Sequence, residues 1–120
     1  MKNSNNTVLS GTISGTTPIN GSAIDASQIY QASFQFSTAS TTAAGIYKVQ
    51  MSNDIQASGT FNPSTYMHWS DISGATVTVT ANVQAASIIL STVCARALRV
   101  VFTPSSGTGS VIVNMFTINV

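Results

Sequence analysis

The sequence predicts a single all-β domain, an antiparallel β-sandwich of jelly-roll type with about eight strands. Three observations predict it. Apolar residues recur at period two in successive segments, the mark of strands buried on one face. Turn-forming clusters of Gly, Pro, Ser and Asn separate those segments at short intervals. No segment reads as a convincing helix, and a composition led by Ser, Thr, Gly, Ala and Asn, with Val and Ile as the main large aliphatics, favours strands and turns. A chain of 120 residues holds one domain, which at this size buries roughly 65% of its unfolded surface.

Residues 1–7 are polar and featureless and are expected to form a flexible arm, leaving 8–120 as the sandwich domain. Residues 8–13 read as a first short strand, 15–22 as a loop around Pro18, and 23–27 as an edge strand or a single turn. Residues 29–38 alternate clearly: Tyr30, Ala32, Phe34 and Phe36 share one face, and Gln31, Ser33, Gln35 and Ser37 the other. After a loop at 39–44 comes the central stretch, 45–54. Its apolar row is Tyr47, Val49 and Met51; Ile46, Lys48, Gln50 and Ser52 form the mostly polar row, and Asn53-Asp54 ends it in a turn. A long Gly/Pro-containing connection spans 53–65, the kind of segment in which function often sits. Residues 67–72 read as a short strand bearing the only Trp, with a turn at Ser73-Gly74 and another strand at 75–81. Short strands follow at 86–91 and 96–103, the latter with Leu98, Val100 and Phe102 on one face. A hairpin loop is expected at 104–109, its two glycines able to take positive φ. Residues 111–120 are apolar on both faces, with Ile112, Phe116 and Ile118 on one and Val111, Val113 and Met115 on the other. Such a strand is either central in a sandwich or touches another subunit.

Only Lys2, Asp25, Lys48, Asp54, Asp71, Arg96 and Arg99 carry a formal charge, where ordinary soluble domains have about 25% charged residues. Either the surface is polar without charge, or copies of the chain or a larger assembly cover much of it. The second reading is preferred, because interface cores are depleted in charge. A net charge of +1 with no basic patch excludes a nucleic-acid footprint. No stretch approaches the ~20 apolar residues of a membrane helix, and MKNSNNTV lacks the apolar run of a signal peptide. Cys94 is the only cysteine, so no internal disulfide is expected; between Val93 and Ala95 it reads as a buried, inert thiol.

Residues suited to chemistry are few. The chain has one His and three acidic residues, all Asp. It has no nucleophile elbow, phosphate-binding loop or zinc-ligand spacing, so neither an enzyme nor a cofactor is expected. Asp54 and Asp71 flank the long loop and, with its carbonyls, are the calcium candidates weighed against solvated turn aspartates. Arg96 and Arg99, three apart on a strand, face opposite sides. Tyr47, Tyr66, His68 and Trp69 are candidates for an aromatic platform under a sugar ring, with Tyr66, His68 and Trp69 as the glycan contacts. The candidate subunit interface is Val111, Val113 and Met115 with Arg99.

The order of features, YQASFQFS, GIYKVQMSND, HWSDISG, ATVTV and ARALRVVFTPSSGTGSVIV, resembles small β-sandwich structural proteins of tailed bacteriophages. The matching residues are Val49, Gln50, Ser52, Asn53 and Asp54; then Trp69, Asp71, Ile72 and Gly74; then Ala97, Leu98, Arg99 and Val100. The resemblance covers roughly residues 29–120 and specifies strand order more than a site. It implies a virion component made in a host cytoplasm: a capsid decoration protein, a head fibre, or a small tail or spike subunit. Its partners would be copies of itself and other virion proteins, and no catalytic residues come with it. The same features are also similar to discoidin-like carbohydrate-binding jelly rolls, which implies a cell-surface glycan as the alternative partner. Those jelly rolls carry a strand of the type V-Q-S-D-G before a Trp, and this chain lacks a Gly directly after Asp54.

Overall fold

The computed structural model describes residues 2–39, 43–55, 60–80 and 85–120. Among the described residues nine strands occur in chain order: β1 (Lys2–Thr12), β2 (Ile19–Asn20), β3 (Ile24–Asp25), β4 (Ile29–Ala39), β5 (Ala44–Ser52), β6 (Ser70–Val79), β7 (Ala85–Leu90), β8 (Ala97–Ser106) and β9 (Ser110–Asn119). One sheet runs β1-β9-β4-β7; the other runs β2-β8-β5-β6, with β3 also on β8. Every pairing is antiparallel. Early strands pair with late ones: β1 with β9, β2 and β3 with β8, β4 with β7, and β5 with β6. That is a long hairpin rolled into two facing sheets, the jelly roll the alternation predicts.

The core lies between the sheets. Phe34 and Phe36 of β4 and Val111, Val113 and Met115 of β9 face Tyr47 and Val49 of β5 and Leu98, Val100 and Phe102 of β8. Tyr47 joins the two layers. Its ring lies 4.7 Å from Phe36 and 4.5 Å from Phe102, and its hydroxyl is 2.9 Å from the Thr38 hydroxyl. Thr117, also buried, is satisfied by Ser4 at 2.6 Å.

β9 is central, between β1 and β4, which accounts for its two apolar rows and corrects the interface expectation. Val111, Val113 and Met115 are 0%, 0% and 2% exposed inside the sandwich, so they have no surface left to offer another subunit. It is Ile112, Phe116 and Ile118 that face outward.

Four further expectations change. Residues 2–7, expected as an arm, form the first half of β1, in register from Lys2 opposite Asn119. Their strand character comes from backbone bonds to β9, which need no apolar side chain. Tyr30 is 50% exposed because the register slips between Ile29 and Gln31, turning Ile29 inward instead. Residues 67–72 and 75–81 are not two strands about a turn. Ser70–Val79 is one strand whose bulge lets Lys48 face Thr76 while Gln50 faces Asp71, with Gly74 at φ +79° inside it. β8 continues through Pro104, which a ladder tolerates only where no donor is needed; it lies opposite Gly45, where the β5–β8 register slips. The hairpin turn is therefore confined to residues 107–109, and Gly107 and Gly109 take φ +86° and +135°. Of the 39–44 loop, Ala39 ends β4 and Ala44 begins β5, and residues 40–42 lie outside the described residues.

Candidate functional site

The densest side-chain network lies on the outer face of the second sheet, beside the long β5–β6 loop. The strand register builds it. Gln50 of β5 stands opposite Arg99 of β8 on one side and Asp71 of β6 on the other, so three outward side chains form a line. The Arg99 Nε–H donates to Gln50 Oε1 at 2.8 Å, and Gln50 Nε2 donates to Asp71 Oδ1 at 2.8 Å. Lys48 Nζ donates to Asp71 Oδ2 at 3.1 Å. The Gln50 amide, then the Lys48 ammonium, hold the Asp71 carboxyl below the ordinary carboxylate range. Arg99 has no carboxylate partner among the described residues. Its guanidinium lies 4.6 Å from the Trp69 ring centroid, a cation–π contact, and burial lowers its pKa.

The loop presents Trp69 to Arg99 through a chain of local bonds. Asn62 caps a single helical turn, Pro63–Thr65, its Oδ1 accepting the Ser64 N–H at 3.1 Å. Trp69 Nε1 donates to the Tyr66 carbonyl at 3.1 Å. The rings of Phe61 and Tyr66 lie 5.5 Å apart, and those of Tyr66 and Trp69 6.2 Å apart. Asp54 ties the far end down, accepting the backbone N–H groups of Met67 at 2.9 Å and His68 at 3.0 Å; His68 Nδ1 lies 3.2 Å from its Oδ1. Asn53 Oδ1 accepts the Arg96 N–H at 3.0 Å. Asn53-Asp54 therefore does more than turn the chain: the pair fastens the long loop to the connection that leads into β8.

The sequence candidates come together only in part. Tyr66 and Trp69 are neighbours, joined by Phe61, which sequence reasoning missed because a lone aromatic in a loop carries no periodic signal. Tyr47 lies in the core and Tyr66 is buried, so neither offers a face to a sugar. The His68 side chain turns to Asp54, and the Arg99 guanidinium already lies on one face of Trp69. Asp54 and Asp71 serve separate sets of bonds, and no group of three or more metal-ligating side chains comes together among the described residues. Cys94 is exposed, which corrects the buried thiol; the segment between β7 and β8 is a surface connection. Arg99 and the β9 residues proposed with it as an interface point in different directions, Arg99 outward from the second sheet and Val111, Val113 and Met115 into the core.

One pH dependence follows from this geometry. The His68 and Met67 amides, in that order, hold the Asp54 carboxyl below its ordinary value. The tether is thus complete above the ordinary Asp pKa of about 3.9 and is lost as the pH falls through the depressed folded value. In an acid titration the Met67 and His68 amide resonances are expected to move together below about pH 4, and Asp54→Ala should place them at their acid-limit positions at neutral pH. Amides that stay put through the titration would show that Asp54 does not hold the loop.

No protein-family model matches the chain, and no curated protein matches it in sequence.

Proposed function

We propose that the chain is a non-enzymatic structural protein working as a homo-oligomer, a virion component of the kind its resemblance to tailed-phage β-sandwich proteins implies: a capsid decoration protein, head fibre or small tail or spike subunit. The observation that carries the assembly part of this reading is the segregation of charge. Asp25, Lys48, Asp71 and Arg99 lie on strands of the second sheet, and Asp54 and Arg96 on the loops at its ends. The first sheet contributes Lys2 alone, on the row of Ser4, which turns inward to Thr117. Its outer face thus carries no charge at all, yet exposes Ile89, Ile112 and Phe116. A surface meant only for water carries charge of both signs; one that excludes charge and displays large apolar groups is built to be covered.

The virion part rests on sequence resemblance and on fold analogy, since jelly rolls serve in capsids and in lectins alike. The sugar-binding alternative has the weaker footing, because Tyr66 is buried and one face of Trp69 is taken. Size exclusion with light scattering tests the assembly reading. A defined multiple of the 12.4 kDa chain mass is expected. A single species at the mass of one chain, held to millimolar concentration, would overturn it.

A further inference from the structure

We propose that the outer face of the β1-β9-β4-β7 sheet is the self-association surface, and that its partner is the same face of a second copy. This rests on the homo-oligomer reading and names the surface that performs it. The register sets out the face in rows across four strands. One row is Asn5, Phe116, Ser33 and Ile89; the next is Thr7, Asn114, Gln35 and Ser87. Phe116 is 42% exposed on the interior strand β9, and Ile89 is 74% exposed on the edge strand β7, over a sheet whose inner rows are packed. A shallow groove of about 570 Å³ runs beside them, walled by Asn5, Gln35, Asn114 and Ser87, and a smaller apolar hollow of about 180 Å³ continues it past Phe116 to Ile118.

Two properties select a second copy as the occupant. The first is electrostatic. With no charge on the face, a charged partner would be stripped of water and gain no counter-charge. The partner surface must itself be uncharged and apolar with amides and hydroxyls, which describes this face. Amides and hydroxyls both donate and accept, so Asn5 and Gln35, whose side chains bond no other described residue, can pair across a two-fold axis without a matched complement of opposite sign. Isologous contact about such an axis is the commonest way a chain meets itself.

The second property is area. Four strands about 4.8 Å apart and about nine residues long give a face of roughly 19 by 30 Å, or on the order of 600 Å² in projection before side-chain relief is added. A stable interface typically takes about 800 Å² from each partner. Specific interfaces range down to roughly 600 Å² per partner, so the projected face reaches the low end of that range when all of it is covered. Packing of this kind sets sheet on sheet about 10 Å apart, as inside the sandwich itself.

The test uses the whole chain and two independent variants. Ile89→Lys and Phe116→Asp each place a charge on the face, and Ile89 is too exposed to matter to folding. Sedimentation of the unmodified chain is expected to show self-association, weakened at least 100-fold by either variant. Met67→Lys, a control at a residue 77% exposed on the loop beside the other sheet, should leave the mass distribution unchanged. An unmodified chain that associates while both face variants associate equally well would overturn this surface and leave the oligomer reading standing. An unmodified chain that stays monomeric would overturn both. Loss of association in Met67→Lys with both face variants intact would move the contact to the second sheet and overturn the proposal.

Discussion

Tyr47→Ala is expected to cost roughly 3–5 kcal/mol of folding stability, the range for removing a buried aromatic ring. A domain of this size has about 5–15 kcal/mol in all, so the variant should be near its unfolding threshold at 37 °C. Two losses combine. The ring fills the space between Phe36 on one sheet and Phe102 on the other, so its removal opens a cavity at the point where the layers touch. The hydroxyl donates to the Ser37 carbonyl at 3.3 Å, which leaves Thr38 as the donor in its 2.9 Å contact. Tyr47→Phe isolates that polar part and should cost roughly 1–2 kcal/mol, because the buried Thr38 hydroxyl loses its partner. A pH dependence separates the two. Burial, opposed by the Thr38 bond, raises the Tyr47 pKa. Folding then favours the neutral phenol, so this contribution is whole below pH ~10 and is lost as the pH climbs from there toward the folded value. The alkaline loss of stability should be smaller in Tyr47→Phe, and urea midpoints measured from pH 8 to 11 give both quantities. A Tyr47→Phe profile that superimposes on the parent would show that the hydroxyl is idle.

The same residue shows why the core was readable before the structure. Where one face of a strand is buried and the other wet, the alternation has only one solution, and Tyr47 and Val49 fell on the inner row of β5 as the pattern requires. β9 has no such solution. Both of its rows are apolar, so pattern alone could not say whether Val111 or Ile112 faces inward. The answer comes from its position between β1 and β4, a long-range fact. Tyr30 misled for a related reason: a one-residue slip reverses faces, and nothing in Ile29-Tyr30-Gln31 announces the slip. β1 was half hidden because Lys2–Thr7 pairs by backbone and by small polar contacts such as Thr7 to Asn114.

The candidate site was legible in proportion to how local it is. Tyr66 and Trp69, three residues apart in one loop, could be named together. Gln50 and Arg99 are 49 residues apart, and only the β5–β8 register makes them neighbours. The charge-free outer face is the least local feature of all. It draws residues from four strands spread over the whole chain, and its rows are built of Asn, Gln, Ser and Thr with at most a few apolar groups among them, so no single strand looks unusual. What the sequence did show was the shortage of charge, a global quantity that survives without knowledge of register.

Gly45→Ala is expected to destabilise by roughly 3 kcal/mol, the upper end for overpacking a well-filled site. A Cβ at this position would lie 2.5 Å from the Thr103 carbonyl oxygen, 2.6 Å from Phe102 Cζ and 2.9 Å from Pro104 Cα. Two of the three obstacles are backbone of the paired strand, and the third is the end of a ring held against Tyr47. Gly15 offers the contrast. Its φ is +58° but nothing lies within 4 Å of a Cβ, so Gly15→Ala should cost only the roughly 1–2 kcal/mol of a left-handed backbone. The two glycines thus separate steric approach from conformational freedom. Adding Phe102→Leu to Gly45→Ala decides which contact dominates: if the ring were the obstacle, the shorter side chain would recover most of the loss. Little recovery is expected, because the Thr103 carbonyl is in the β5–β8 ladder and cannot withdraw without breaking it. Urea midpoints at unchanged slope would read the effect directly. Recovery beyond half would mean that the close approach of β5 to β8, and with it the slip that admits Pro104, is set by side-chain packing and not by the backbone.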